Sequence, residues 1–258
     1  MTAKGRNKSQ ALSEDGTTIR TLVADANAIL RRGLRELLRD SADIEVVGEA
    51  GDAREAVEGA QRLVPDVVLM AVDLPGLDSA QTTAAILAQR PQVRVLTVSG
   101  TGSEANVVTA LRAGALGFVS NTSPKEEILE AVRRAHRGQT TIPHVIALKL
   151  LNGDRPADLA LAPLTRREVE ILRLLARGLS NHEIADRAHV TPGTVRTHVT
   201  NIFNKLGVSN RVEATLCALR DGLATLEECL EQIPPAGGET AISSIAYDER
   251  RIEAYDFQ

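Results

Sequence analysis

Val67-Val68-Leu69-Met70-Ala71-Val72-Asp73-Leu74-Pro75-Gly76-Leu77-Asp78 runs from unbroken apolar residues into a loop of Asp, Pro and Gly. An apolar run of that length, closed by turn chemistry, reads as a strand buried on both faces. Working outward, short β-branched runs recur at Ile19–Ala24, Glu45–Ala50, Val93–Val98 and Gly117–Ser120. Helical patterns separate them. Leu30, Leu34, Leu37 and Leu38 form one stripe, and Ala53, Ala56, Val57, Ala60 and Leu63 another. Further helices are expected near Ser79–Gln89 and Glu104–Ala113, and one opens at Ser123-Pro124, where Ser123 caps and Glu126 completes a capping box. Strands alternating with helices imply an α/β fold, a five-stranded parallel sheet covered on both faces. Chemistry in such folds gathers at the carboxyl ends of the strands, here near Asp25, Ala71 and Ser99.

The 67–78 stretch resembles the third strand and following loop of a bacterial response-regulator receiver domain, a flavodoxin-like, doubly wound fold. The resemblance implies that position 71 is where an aspartate accepts a phosphoryl group from a histidine kinase, and here it is Ala71. Transfer to a carboxylate needs the acceptor, a Mg²⁺ ion held by acidic groups, a lysine for the product, and a hydroxyl that senses it. By resemblance the first-strand acidic pair falls on Asp25 and Ala26, the hydroxyl on Ser99, the lysine on Asn121, and the switch aromatic on Phe118. Position 26, position 71 and position 121 have therefore lost their chemistry together. That pattern points to a degenerate pocket that binds Mg²⁺ poorly, with no catalytic residue, no phosphoacceptor and no cofactor. Asp73, two residues beyond Ala71, is a rival acceptor, but a loop Asp before Pro-Gly is expected to serve the turn and to point away from Asp25.

Beyond residue 138 the strand signals stop. Residues 139–163 carry Gly138 at their edge and Pro143, Gly153, Pro156 and Pro163, and read as a linker with a short helix at Ile146–Leu151. Helical pattern then resumes. Thr165 with Glu168, Ser180 with Glu183, and Asn210 with Glu213 have capping-box spacing, and Thr191-Pro192 marks another helix start. Residues 164–223 thus read as four compact helices. The segment Leu164-Thr165-Arg166-Arg167-Glu168, the run Gly178-Leu179-Ser180-Asn181-His182-Glu183-Ile184-Ala185 and the helix Thr194-Val195-Arg196-Thr197-His198-Val199 resemble the LuxR-type helix-turn-helix of NarL/FixJ response regulators, with the motif at Ser180 to Val199.

On the helix from Pro192 to Leu206, Val195, Val199, Ile202, Phe203 and Leu206 share one face. The other face carries Gly193, Thr197, Thr200, Asn201 and Asn204, flanked by Arg196 and Lys205, and suits a major groove. The resemblance implies base reading by Arg196, Thr197 and Thr200. Asn201, Lys205 and His198 are candidates for phosphates, with His198 equally readable as a structural histidine. His182 and His189 are expected at the surface. On the last helix Val212, Leu216, Leu219 and Leu223 form the expected core stripe, and Ala214 and Cys217 a separate small-residue patch. By resemblance that helix pairs two modules across a two-fold axis on a palindromic operator.

Composition agrees with two modest soluble domains: 258 residues, 43% hydrophobic, 25% charged. The net charge of −4 is unevenly spread: residues 17–138 sum to −2, 164–222 to +3 and 223–258 to −6. A basic module within an acidic chain marks where a polyanion binds. Cys217 and Cys229 lack metal-ligand spacing, so no metal is expected. Residues 1–16 have no apolar leader segment and no run is long enough to span a membrane, which reads as a cytoplasmic protein. Residues 1–16 are expected to be a disordered arm, and 224–258 an acidic tail that is either solvated or folded back over the basic module. The expected function is a phosphorylation-independent, DNA-binding transcriptional regulator, homodimeric or paired with a related regulator. A small-molecule effector in the altered pocket, control by abundance alone, and a pure interaction protein with an idle DNA module are the alternatives.

Overall fold

The computed structural model describes residues 18–100, 104–142, 146–147, 150, 163–225 and 228. Strands β1 (Ile19–Ala24), β2 (Ile44–Ala50), β3 (Val67–Ala71), β4 (Arg94–Ser99) and β5 (Gly117–Ser120) form one parallel sheet in the order β2-β1-β3-β4-β5. Between them lie helices α1 (Ala28–Arg39), α2 (Ala53–Leu63), α3 (Ser79–Gln89), α4 (Glu104–Arg112) and α5 (Lys125–His136).

The apolar run at β3 has a direct cause. The strand is central, and Val67, Val68, Leu69 and Met70 are fully buried. Alternate residues feed opposite cores. Val68 and Met70 pack with Leu22, Ile86, Val95 and Leu111 under α2, α3 and α4. Val67 and Leu69 pack with Val23, Leu38, Leu96 and Val132 under α1 and α5. Each such side chain stabilises the fold by roughly 1.5–3 kcal/mol.

Local caps hold the helix starts. Asn27, Asp52 and Asp78 accept backbone N–H groups at α1, α2 and α3. The expected Ser123 cap is not formed: α5 starts one residue later, Pro124 occupies the cap position, and no side chain bonds there. Glu126 and Glu127 instead place negative charge against the helix's positive end.

Residues 139–142, at the start of the expected linker, run beside the sheet. Thr141 pairs beside β5: Phe118 N–H donates to the Thr141 carbonyl at 2.9 Å, and Thr141 N–H donates to that of Leu116 at 3.2 Å. Gly117 permits this, since a Cβ there would meet the Thr141 carbonyl oxygen at 2.4 Å. Ile146, Ala147 and Leu150, within the expected short helix, are helical and buried in the α2–α4 core.

The second unit comprises α6 (Arg166–Ala176), α7 (Asn181–Ala188), α8 (Pro192–Leu206) and α9 (Arg211–Arg220). Thr165–Glu168 and Ser180–Glu183 close full capping boxes at α6 and α7. At α9 the Asn210 side chain accepts from Glu213 N–H, while Glu213 reaches one residue further back, to Ser209 N–H at 2.7 Å. His189 ends α7 in the left-handed region at φ 53°, the sharp turn that swings the chain into α8. Ile171, Leu172, Leu175, Ile184, Val195, Ile202, Ala214 and Leu219 form its core.

Candidate functional site

Two places were singled out by sequence, the carboxyl edge of the sheet and the outer face of α8. The structure adds a third, the seam between the two units.

At the sheet edge, β1 and β3 deliver Asp25 and Ala71 side by side. Asp25 is almost fully buried. Its carboxylate accepts from Asn27 N–H at 2.7 Å, so it also shapes the turn into α1. Burial pushes its pKa up; the Asn27 bond and the Arg31 cation oppose this, and the Asp73 charge adds to it. Asp73 accepts from Asn106 Nδ2 of α4 at 2.7 Å, and its charge adds to the rise at Asp25. Ala26 is exposed, and Ala71, half-buried, packs against both cores at once. Ser99 is buried at the end of β4. Asn121 donates its backbone N–H to the Ser99 carbonyl at 3.0 Å, and its amide lies 3.5 Å from where a Cβ on Gly100 would stand. Phe118 is half-buried against the α2–α4 core. Six of the seven pocket residues therefore lie at one edge, and Phe118 turns inward.

The donor set does not fit Mg²⁺. Asp25 already serves Asn27, Asp73 is held by Asn106, and the remaining two positions are methyl groups. Among the described residues no three His, Cys, Asp or Glu side chains group as metal ligands.

On α8 the two faces separate as the periodicity implies. Val195 and Ile202 are fully buried, with Val199, Phe203 and Leu206 half-buried behind them. Gly193, Arg196, Thr197, Thr200, Asn201 and Asn204 are exposed. Thr197 and Thr200 donate their hydroxyls to the carbonyls of Gly193 and Arg196, one turn back, at 3.2 and 3.0 Å. Their donors are spent on the helix, leaving acceptor lone pairs and methyl groups for a ligand. Lys205 differs from its expected role at the phosphates. Its ammonium is 2.8 Å from the Glu168 carboxylate and 3.3 Å from the Pro163 carbonyl, which ties α8 to the start of α6. His198 is half-buried; His182 and His189 are exposed.

The last helix also departs from its expected faces. Ala214 is fully buried in the helical unit's own core, so it is not a surface patch, and Cys217 is half-buried. Val212 and Leu216, expected in that core, instead join the α2–α4 core of the sheet unit. The reason is long-range: α4 lies against α9, and the two apolar residues face it. Hydrogen bonds line the same seam. Asn210 Nδ2 donates to the Arg112 carbonyl at 2.8 Å, Gln139 Nε2 to Glu183 at 2.8 Å, and Arg211 Nε to the Thr140 hydroxyl at 3.2 Å. Arg211 also donates to the Leu175 and Leu179 carbonyls. Burial pushes its pKa down to about 10, with the Arg94 cation adding to the shift. These seam contacts carry no local sequence signal, because each joins residues at least 32 positions apart; Glu183 and Asn210 are visible in the sequence only as capping residues.

Comparison with known proteins agrees with this architecture. Residues 21–133 match the response regulator receiver domain, and residues 162–218 match the bacterial regulatory proteins of the luxR family. The response regulator protein VraR of Staphylococcus aureus (strain NCTC 8325 / PS 47) is 36% identical over 206 residues, covering 80% of this chain and 99% of VraR. Among solved structures, the response regulator ChrA of a heme-sensing two-component system aligns at 33% identity over 80% of this chain and 98% of its own, with a TM-score of 0.45. The signal receiver domain of NarL from Mycobacterium tuberculosis aligns at 36% identity over 48% of this chain and 99% of its own, with a TM-score of 0.46. The chain belongs to the response-regulator family, and joins a receiver domain to a LuxR-type helix-turn-helix DNA-binding domain.

Proposed function

We propose that this chain regulates transcription by binding specific double-stranded DNA as a dimer, and that it does so without accepting a phosphoryl group. The observation that carries the reading is the outer face of α8. It is small, polar and exposed, it is flanked by the Arg196 cation, and it is held in place by Val195 and Ile202 beneath. That is the surface a helix presents to base edges in a major groove. Independence from phosphate rests on the sheet edge, where methyl groups stand at 26 and 71 and an amide at 121. The receiver then acts as a pairing module and not as an enzyme or relay. A palindromic operator and a homodimer follow from the two-fold logic of such modules. The setting is the cytoplasm, and no helix among the described residues is long and apolar enough to cross a membrane.

The test is fluorescence anisotropy of the full chain on DNA fragments selected from random sequence. Arg196→Ala should weaken specific binding by about 1–3 kcal/mol, and Thr200→Ala by less. Equal binding of the parent to selected and scrambled fragments would leave only an interaction protein. One observation favours a second reading. The crevice has lost charge, and the buried Asp25 that remains has a raised pKa, a setting for a neutral small-molecule effector or for pairing with a related regulator.

A further inference from the structure

Three threonines are exposed on α8, and they do not use their hydroxyls alike. Thr194 belongs to the helix start: its Oγ1 lies 2.9 Å from that of Thr191, the capping residue. Thr197 and Thr200 lie deeper in the helix. Each donates its hydroxyl proton to the carbonyl one turn back, Thr197 to Gly193 at 3.2 Å and Thr200 to Arg196 at 3.0 Å. A threonine hydroxyl has a single proton. Once that proton is committed, the side chain offers a ligand two kinds of surface, oxygen lone pairs and a methyl group. The same bond fixes the methyl group, because both substituents hang from one Cβ.

The base edges in a major groove answer this surface differently. Guanine presents two acceptors, N7 and O6. Lone pairs set against them gain no bond, and freeing the proton breaks a bond to the helix. Guanine therefore falls to Arg196, an exposed neighbour whose guanidinium is all donors. The N4 donor of cytosine is best met by a carboxylate, and the stretch Pro192–Leu206 holds no Asp or Glu. Thymine carries a methyl group on its groove edge, and a threonine methyl packs directly on it.

The two threonines are also held still. Val195 and Ile202 are fully buried beneath them, and Lys205 ties the far end of α8 to Glu168. Three residues of helix advance roughly 4.5 Å. Successive bases of one strand are about 3.4 Å apart. Thr197 and Thr200 are therefore spaced to meet neighbouring or next-neighbouring base pairs.

We infer that the operator half-site carries thymine where Thr197 and Thr200 enter the groove, and that these residues read it through their methyl groups and not through their hydroxyls. The assignment rests on the DNA-binding reading and adds to it the base chosen and the atoms that choose it.

The test uses the full chain and the DNA fragment selected from random sequence. Each thymine of the half-site is replaced in turn by uracil, which removes the 5-methyl group and leaves the hydrogen-bonding groups unchanged. Anisotropy should show two nearby positions at which uracil weakens binding by the parent about three- to fivefold, the worth of one buried methyl group. Thr200→Ser keeps the hydroxyl and removes the methyl group, and should lose the discrimination at one of these positions only. Thr197→Ser should lose it at the other. Thr197→Val and Thr200→Val remove the hydroxyl and keep the methyl group, and should retain both thymine-to-uracil ratios. Because each ratio is taken within one variant, a general change in affinity or stability leaves it unaffected. A parent that binds specifically with no uracil-sensitive position overturns the assignment alone. Serine variants that keep the discrimination overturn it, and so do valine variants that lose it, the latter result assigning the reading to the hydroxyls. Equal binding of the parent to selected and scrambled fragments overturns the DNA-binding reading as well.

Discussion

Lys205 Nζ lies 2.8 Å from the Glu168 carboxylate, so the helix that faces DNA is pinned to the first helix of its own module. Glu168 is 5% exposed at the side chain and Lys205 28%. Burial alone would raise the Glu168 pKa, but the Lys205 bond and the Thr165 donors outweigh it and hold the carboxyl below the usual range. A depressed carboxyl contributes stability that is present above its unfolded pKa and lost as pH falls through the folded one. Lys205→Ala should therefore destabilise the chain by about 1–3 kcal/mol at pH 7, because it strands a buried carboxylate. Chemical denaturation at pH 7 and pH 4 checks this, with a smaller gap expected at the lower pH. A variant of parental stability that binds DNA less tightly would return Lys205 to the phosphates.

That pair shows where sequence reading stops. The β3 run, the two helix stripes and the two closed capping boxes were legible because each is local, set by period and by side chains three residues apart. The reading of positions 26, 71 and 121 came from the receiver resemblance, which assigns a role to each; in the structure they follow or end β1, β3 and β5. Lys205 looked like an outward cation because a helical wheel does not show Glu168, 37 residues earlier. Val212 and Leu216 fit the period of α9 equally well as its own core or as a docking face, and only the position of α4 separates the two. The seam arginine, Arg211, has no periodicity at all.

Arg133 ties α5 to the turn before β2. Its Nε is 2.7 Å from Asp43, and Asp43 also accepts from Ser41. The Arg133 bond, against the opposing effect of burial, brings the Asp43 pKa down to about 2. Asp43 is 2% exposed at the side chain, so solvent screens the pair little. Its stabilisation is full above the unfolded aspartate value and disappears as pH falls toward 2. Asp43→Asn should cost about 2 kcal/mol at pH 7 and almost nothing near the folded pKa. Urea melts of parent and variant across that range read the difference directly, and a pH-independent gap would assign the loss to packing.

The seam makes a prediction about access to DNA. Val212 is 1% exposed and Leu216 7%, both against the sheet unit, while Ala214, Ala218 and Leu219 serve the module's own core. The pairing of two modules through α9 that the family resemblance implies would compete with this packing. Val212→Asp should open the seam, since a buried carboxylate against α4 costs several kcal/mol. The expected result is operator affinity raised about tenfold, with a shift toward dimer in analytical ultracentrifugation. Ala218→Asp, aimed at the module's core, should abolish binding. Unchanged affinity and mass in Val212→Asp would mean that the seam does not compete with the DNA-bound state.

An aspartate placed at position 71 alone should not make the pocket accept a phosphoryl group. Ala71 packs against both cores, and Asp25 beside it is buried with a raised pKa. Ala71→Asp adds a second carboxylate to a crevice with no lysine, where Asn121 stands in its place and position 26 offers a methyl group. Two carboxylates without a metal repel, and the expected loss is about 1–3 kcal/mol of stability. Incubation with acetyl phosphate and Mg²⁺, read by intact mass, should leave the parent and Ala71→Asp unchanged, which also disposes of Asp73 as an acceptor. The triple variant Ala26→Asp, Ala71→Asp, Asn121→Lys supplies the second acidic ligand, the acceptor and the product-stabilising cation together, and should gain one phosphoryl group. Mass gain in the parent would end the phosphorylation-independent reading. Gain in Ala71→Asp alone would show that the pocket kept its metal site and lost only its acceptor.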